Sequence, residues 1–343
     1  MKTKHTKLLS AMLALLLLFS VTASSLTPAQ MTQNLSQWLC ANIGTAQAQG
    51  KIDSYLDWSV FALSRSQCHT LDADYKAYIG SALGKNMDQL ALNDYARIAL
   101  AAWAVGMNAR NINGTNLIDC IEKTDFSQEL FTGSAAYALI ALDVAGSKNQ
   151  AARTALKSIL YSAQRDDGGF NAYLKADASQ YWTMDGETDS TGIVLQAIAP
   201  YKDEPQAATL IAKADAFLRS NQMSNGGFGS WGSASAESTA MVLAGLCAVG
   251  KDPDGYVKEG KSMIDALSAF VNEDGGGRNY NGSSDIMTTY QMLMGLSAYD
   301  RFKNGKEGLF EASESPFLFL KDIPVIGPVL YLIIQFIYSV FFK

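Results

Sequence analysis

The sequence predicts an all-α protein, an α/α toroid of about six helical hairpins. Three observations predict it. An apolar helical run recurs six times, Gly-Gly bends precede the later copies, and a short oxygen-bearing side chain opens most of the runs. Repeats of several tens of residues are sought first, because each unit of such an array buries its apolar face only against its neighbours.

The first element is an export signal. Lys2, Lys4 and Lys7 precede a run from Leu8 to Phe19 that is apolar except for Ser10, and small residues follow from Val21 to Ser25. This is the layout of a secretory signal peptide, assigned to residues 1–29, with cleavage after Ala23 or Ala29. An uncleaved N-terminal anchor is the alternative. Cys40, beyond Trp38 and Leu39, is placed too late for lipoprotein processing.

The repeat domain is assigned to residues 30–310. Three turns stand out, at Gln164 to Phe170, Gln222 to Phe228 and Asn272 to Gly277, each followed by an apolar run. Thr191, Thr239 and Thr289 mark the same place in these runs and lie 48 and 50 residues apart. From Asp167 to Asn225 the spacing is 58, which reflects ten extra residues around Leu174 to Thr183. Fainter copies of the run begin at Asp57, Asp94 and Gly133.

Each hairpin has a physical reading. Its first helix is amphipathic, as in Leu210, Ile211, Ala214, Phe217 and Leu218, which share one face. Glycine then ends it, being the residue that best tolerates the left-handed backbone. Ser, Thr, Asp or Glu start the second helix, where an oxygen accepts from an unpaired backbone N–H. That second helix is apolar on nearly every face, as an inner helix between an outer layer and a lumen must be. Six copies without polar capping repeats favour closure into a ring over an open solenoid.

After a linker at residues 311–322, residues 323–343 are read as a C-terminal transmembrane helix. Ile323 to Phe342 is a charge-free stretch of twenty residues, about the thickness of a bilayer core at ~1.5 Å per residue. Pro324, Gly327, Pro328 and Gln335 interrupt it, and a last helix packed on the domain is the alternative. With the N-terminus exported, Lys343 ends on the cytoplasmic side. The expected address is the cell surface, anchored in the cytoplasmic membrane with the toroid outside.

The chain carries 27 basic and 33 acidic residues, and 24 basic ones once the signal's three lysines are set aside. An acidic exported domain without a basic patch is not a nucleic-acid binder. Its four cysteines have no metal-ligand spacing. Cys68 and Cys120 either bridge or, like the others, stay free thiols. Asp252, Pro253, Asp254 and Gly255 resemble part of a calcium loop but lack its regular ligands and closing Glu, and are read as a turn.

Lys213, Ala214, Phe217, Leu218, Gln222, Gly226 and Phe228 resemble the QW repeat of the prenyltransferase and squalene-cyclase family, with Phe for the usual final Trp. Gln164, Gly168 and Phe170 form a looser copy, and the third copy has Val271 in place of Gln. The resemblance covers roughly residues 90–300 and implies an α/α toroid.

It implies three activities to test. Protein prenyl transfer needs a zinc site, but Thr288 stands where the family's zinc-binding His belongs, Glu237 to Thr239 offer no Cys, and the only histidines are His5 and His69. That activity is excluded, and no metal or cofactor is predicted. Class II terpene cyclisation protonates an alkene or epoxide with the middle acid of an Asp-x-Asp-Asp-Thr motif. Glu187 to Thr191 resemble it, with Asp189 as donor and Asp185 and Glu187 as neighbouring acids. Glu187 and Ser190 depart from the pattern. The competing reading is that Asp189 and Ser190 cap a helix. Ligand binding is the third, as in exported corrinoid carriers related to intrinsic factor, although their second, β-rich domain has no counterpart here. Phe170, Tyr181, Trp182, Phe228, Trp231, Tyr280 and Tyr290 are its candidate cavity or rim residues. The same aromatics read equally as tight turns tucked into the ring. The exported address favours a non-enzymatic module binding a small molecule, glycan or protein over a cyclase.

Overall fold

A computed structural model describes residues 25–43, 52–230, 232–311 and 332–334. Residues 1–24 of the expected signal, the linker beyond residue 311, the expected anchor apart from 332–334, and Trp231 lie outside the described residues. Among the described residues no helix is long and apolar enough to cross a membrane.

Twelve helices are described: α1 (Pro28–Asn42), α2 (Ser54–Arg65), α3 (Asp72–Asn86), α4 (Leu92–Ala104), α5 (Leu117–Glu122), α6 (Thr132–Val144), α7 (Gln150–Ser162), α8 (Thr188–Ile198), α9 (Pro205–Asn221), α10 (Ala236–Ala248), α11 (Met263–Ala269) and α12 (Ile286–Lys303). The even-numbered helices pack each on the next, and α12 returns to pack on α2. They form the expected inner ring of six. The odd-numbered helices lie outside, but each packs chiefly on the ring helix before it and not, as the sequence suggests, on the one after its glycine turn, and α1 packs on α12 and α11 to complete the sixth pair.

Composition explains the two layers. On α9 the buried side chains are Ala207, Leu210, Ile211, Ala214, Phe217 and Leu218, one stripe of an outer helix. On α10 every residue from Ser238 to Leu246 is buried, as required of a helix enclosed on all sides. Small residues let the ring helices approach closely. A methyl group at Gly192 of α8 would run into the carbonyl of Met241 on α10, and one at Gly245 would meet Gly192 in return.

The repeated turns are held by repeated hydrogen bonds. Gln164 Nε2 donates to the carbonyls of Gly168 (2.9 Å) and Leu210 (3.0 Å), tying its turn to the next outer helix. Gln222 Nε2 does the same to Gly226 (2.9 Å) and Tyr256 (2.8 Å). The hydroxyls of Thr191, Thr239 and Thr289 each accept a 2.9 Å bond from the strand-like segment before them, from the N–H groups of Phe170, Phe228 and Gly277. This is why threonine marks the period.

The ring helices begin slightly earlier than the sequence suggests. The N-cap residues are Glu187, Ser235 and Asp285, so Asp189 and Glu237 lie in the first turn and do not cap it. Two short antiparallel ladders are additions to the expected all-helical chain, β1 (Phe228–Ser230) with β2 (Ser233–Ser235) and β3 (Val257–Lys258) with β4 (Lys261–Ser262). The stretch from Pro253 to Gly255 is a 3-10 turn capped by Asp252, and Asp254 pairs with Lys303 at 2.7 Å.

Candidate functional site

The lumen is occupied by aromatic side chains. In the ring α4 separates α2 from α6, yet Trp58 on α2 and Tyr137 on α6 have ring centroids 4.7 Å apart, so they meet inside the ring. The segment after α12 reaches the same place. Phe310 stacks on Phe61 at 4.9 Å and lies 6.4 Å from Tyr137, while Leu309 is buried beside it. Arg65 at the end of α2 donates to the Gly308 carbonyl at 3.2 Å and holds this segment down. The C-terminal end of the ring is thereby closed by the chain itself. Cavities of about 410 and 150 Å³ both lie at that end, the larger between α1, α2 and α12, the smaller beside Leu309.

Acidic residues gather at the opposite mouth. Asp189, in the first turn of α8, is half-buried, and burial pushes its carboxyl above the usual range against the pull of the N–H groups of Ser190 and Asp189 itself. Glu187 is raised too, first by burial and then by the charge of Asp189, although the Ala172 N–H (3.0 Å) and the Ser190 hydroxyl (3.1 Å) donate to it. Tyr137 is raised by burial, then by the charges of Tyr290 and Asp189. Glu237 on α10 accepts a short hydrogen bond from the Thr288 hydroxyl on α12. The residue standing at the family's zinc-His position is therefore engaged with a carboxylate. Asp185 is separate, with an exposed side chain and a carbonyl that accepts from Asn171 at 2.8 Å.

The ten inserted residues build a rim beside this mouth. Arg165 is buried, and its guanidinium donates to the carbonyls of Tyr173 (2.6 Å), Ala163 (2.7 Å), Thr183 (3.0 Å) and Leu174 (3.2 Å). Burial lowers its pKa, opposed by Asp167 and Glu187. The loop so fixed exposes Tyr181 (69%) and Trp182 (45%), packed edge to face at 5.3 Å. Tyr173 of the same loop packs on exposed Phe131, just before α6, at 5.4 Å.

Of the expected aromatic contacts, then, Tyr181 and Trp182 are on the rim and Tyr290 is buried by the lumen. Phe170 and Phe228 are fully buried, their backbone N–H groups held by the hydroxyls of Thr191 and Thr239, as the tucked-turn reading expects. Tyr280 is 94% exposed on a separate loop, and Trp231 lies outside the described residues. Sequence reasoning missed Trp58 and Tyr137, whose aromatic rings interrupt small apolar runs, Phe310, which sits in a polar stretch after α12, and Phe131 and Tyr173. It missed Arg165 because the repeat pattern marks Gln164, Gly168 and Phe170 around it, while the carbonyls it holds lie up to 18 residues away.

Cys68 lies beside Cys40 in the structure, with the sulfurs 3.8 Å apart, and Cys120 sits apart on α5. Ser64, His69 and Asp72 cluster, but Ser64 and Asp72 share the same ring nitrogen of His69 and Ser64 is buried. A nucleophile relay needs the two on opposite nitrogens.

Residues 132–297 match the squalene-hopene cyclase C-terminal domain. No curated protein matches the chain. Among solved structures, the chain is similar to Candida albicans protein geranylgeranyltransferase-I complexed with GGPP, at 11% identity and TM-score 0.57, covering 81% of this chain and 94% of that one. It is also similar to the unsaturated glucuronyl hydrolase of Bacillus sp. GL1, responsible for glycosaminoglycan degradation, at 14% identity and TM-score 0.55, covering 84% and 99%. A polysaccharide lyase aligns at 11% identity and TM-score 0.53, covering 81% and 98%. At these identities the likeness is one of fold. The protein thus shares the toroid fold of these structures, and residues 132–297 of it match the squalene-hopene cyclase C-terminal domain.

Proposed function

We propose that this chain is an exported, membrane-tethered binding protein that presents an aromatic rim to a glycan. The observation that carries the reading is the pair of exposed aromatic contacts, Tyr181 with Trp182 and Phe131 with Tyr173, on a loop fastened by buried Arg165. Flat exposed rings held rigidly stack on sugar faces at little entropic cost. Two of the similar structures, the glucuronyl hydrolase and the polysaccharide lyase, act on saccharides, which supports that ligand class. Titration of oligosaccharides, including uronic-acid-containing ones, followed by tryptophan fluorescence and calorimetry tests it. Binding is expected in the wild type and weakened at least tenfold in Trp182→Ala. Equal affinity in both, or none in either, overturns it.

Export and tethering rest on the two apolar ends. Helix α1 is capped by Thr27, which accepts from the Gln30 N–H at 3.3 Å, so cleavage after Ala23 leaves the cap in place whereas cleavage after Ala29 removes it. That cap supports removal after Ala23. Cell fractionation with and without residues 317–343 tests the tether, and a truncated chain that stays with the membrane defeats it.

One observation favours the second reading, a class II cyclase. Asp189 is a carboxyl that burial raises above the usual range in the first turn of a ring helix, as suits an acid that protonates an alkene. Incubation with squalene or an isoprenoid diphosphate decides it, since product lost in Asp189→Asn would displace the binding reading.

A further inference from the structure

Cys40, in the last turn of α1, and Cys68, in the turn after α2, bring their sulfurs to 3.8 Å across 28 residues of chain. Neither position is loose. Helix α2 ends with the Cys68 N–H donating to the Leu63 carbonyl at 2.9 Å and the Gln67 N–H to Ser64 at 3.1 Å. Gln67 takes the left-handed backbone (φ 68°) that Gly106, Gly146 and Gly250 supply at the ends of α4, α6 and α10. Cys68 is thus the second residue past a fixed helix stop. Cys40 is anchored by α1, whose Leu35 and Leu39 are fully buried and whose Trp38 donates to Asp274 at 3.1 Å. The pair sits where the ring closes, since α1 belongs to the last hairpin in space and α2 to the first in sequence.

We propose that Cys40 and Cys68 form a structural disulfide that staples the outer helix α1 to the first ring helix. The remaining approach, from van der Waals contact to a bond of about 2.05 Å, is small enough for side-chain rotation. The oxidant is a small-molecule or protein disulfide. One cysteine thiolate attacks it and displaces a thiol, and the second thiolate then attacks the mixed disulfide and displaces the other. Two S–H bonds are lost and one S–S bond forms, while the oxidant takes up two electrons and two protons. Burial, then Cys68, pushes the Cys40 thiol up to about 11, which makes it a slow attacking group and a poor leaving group. The bond is a lasting clamp and not a fast redox relay. Helix α1 otherwise depends on packing against α12 and α11, so the clamp limits fraying at the seam.

The purified chain, equilibrated with oxidised glutathione in vitro, separates this proposal from the question of export. Thiols are alkylated under denaturing conditions before and after reduction, and peptides are mapped by mass spectrometry. Two of the four cysteines are expected to react only after reduction, with Cys40 and Cys68 linked in one peptide pair. Reductant is expected to lower the melting temperature of the wild type by about 5 °C and leave that of Cys40→Ser unchanged. Four alkylatable thiols after equilibration, or a bridge that includes Cys120 or Cys247, overturns the proposal, and the mapping needs no variant to fold.

Discussion

Trp58 and Tyr137 meet inside a ring whose helices hold them on non-neighbouring staves, at 4.7 Å between ring centroids. The contact makes the lumen a core. Phe310 completes it from the segment after α12, which closes the C-terminal end of the ring, while the acids opening α8 and α10 lie at the other.

Removing the plug tests that division. Phe310→Ala forfeits the stack on Phe61 and the approach to Tyr137, and is expected to cost about 2–3 kcal/mol in urea unfolding, below a fully buried Phe because the ring is half-buried. A cost under ~0.5 kcal/mol would mean that the segment does not seat in the lumen.

The rim depends on Arg165. Its four carbonyl contacts make Arg165→Leu an expected loss of about 3 kcal/mol, with protease cleavage appearing between residues 171 and 185. An intact loop in the variant would show that the guanidinium is not what fastens it.

Asp189 gives the stability a pH dependence. A carboxyl whose folded pKa is raised contributes most below its unfolded value, about 4, and loses that contribution as pH rises through the folded one. Wild-type stability relative to Asp189→Asn is therefore expected to be greatest near pH 4 and to decline toward pH 7. Denaturant midpoints of both proteins across that range check it. Glu187, raised in the same direction, contributes its burial-driven part to both proteins, while the part due to the charge of Asp189 is lost in Asp189→Asn and adds to the difference with the same sign. Parallel profiles would place Asp189 in water.

Close helix approach is the last test. Gly192→Ala drives a methyl group into the Met241 carbonyl and is expected to destabilise by about 2–3 kcal/mol, measured by denaturation. The exposed Gly232, where an added Cβ meets no atom, is not a fair control because of its positive φ; Gly133, with open space and an ordinary backbone, is, and Gly133→Ala should be near neutral.

Much of the architecture was legible in local pattern. The stripe on α9, the all-apolar run of α10 and the glycine stops after α4, α6 and α10 each follow from contacts within a turn or two of helix, and such contacts are written in sequence. Gln222 could be recognised as a motif, but not the two carbonyls it joins, one of them 34 residues away. Phe170 and Phe228 looked like ligand contacts because they sit in turns; a threonine hydroxyl 21 and 11 residues onward draws each into the core.

By itself, then, the sequence determined the helices, their sorting into six ring helices and an outer set, the apolar termini and the acids opening the ring, since period, caps and breaks are short-range properties. Only the tertiary structure decided that Cys68 faces Cys40, that Arg165 pins the inserted loop, and that Trp58, Tyr137 and Phe310 close the lumen. Those relationships join positions far apart in the chain, and they exist because the last helix comes round to pack against the first ring helix.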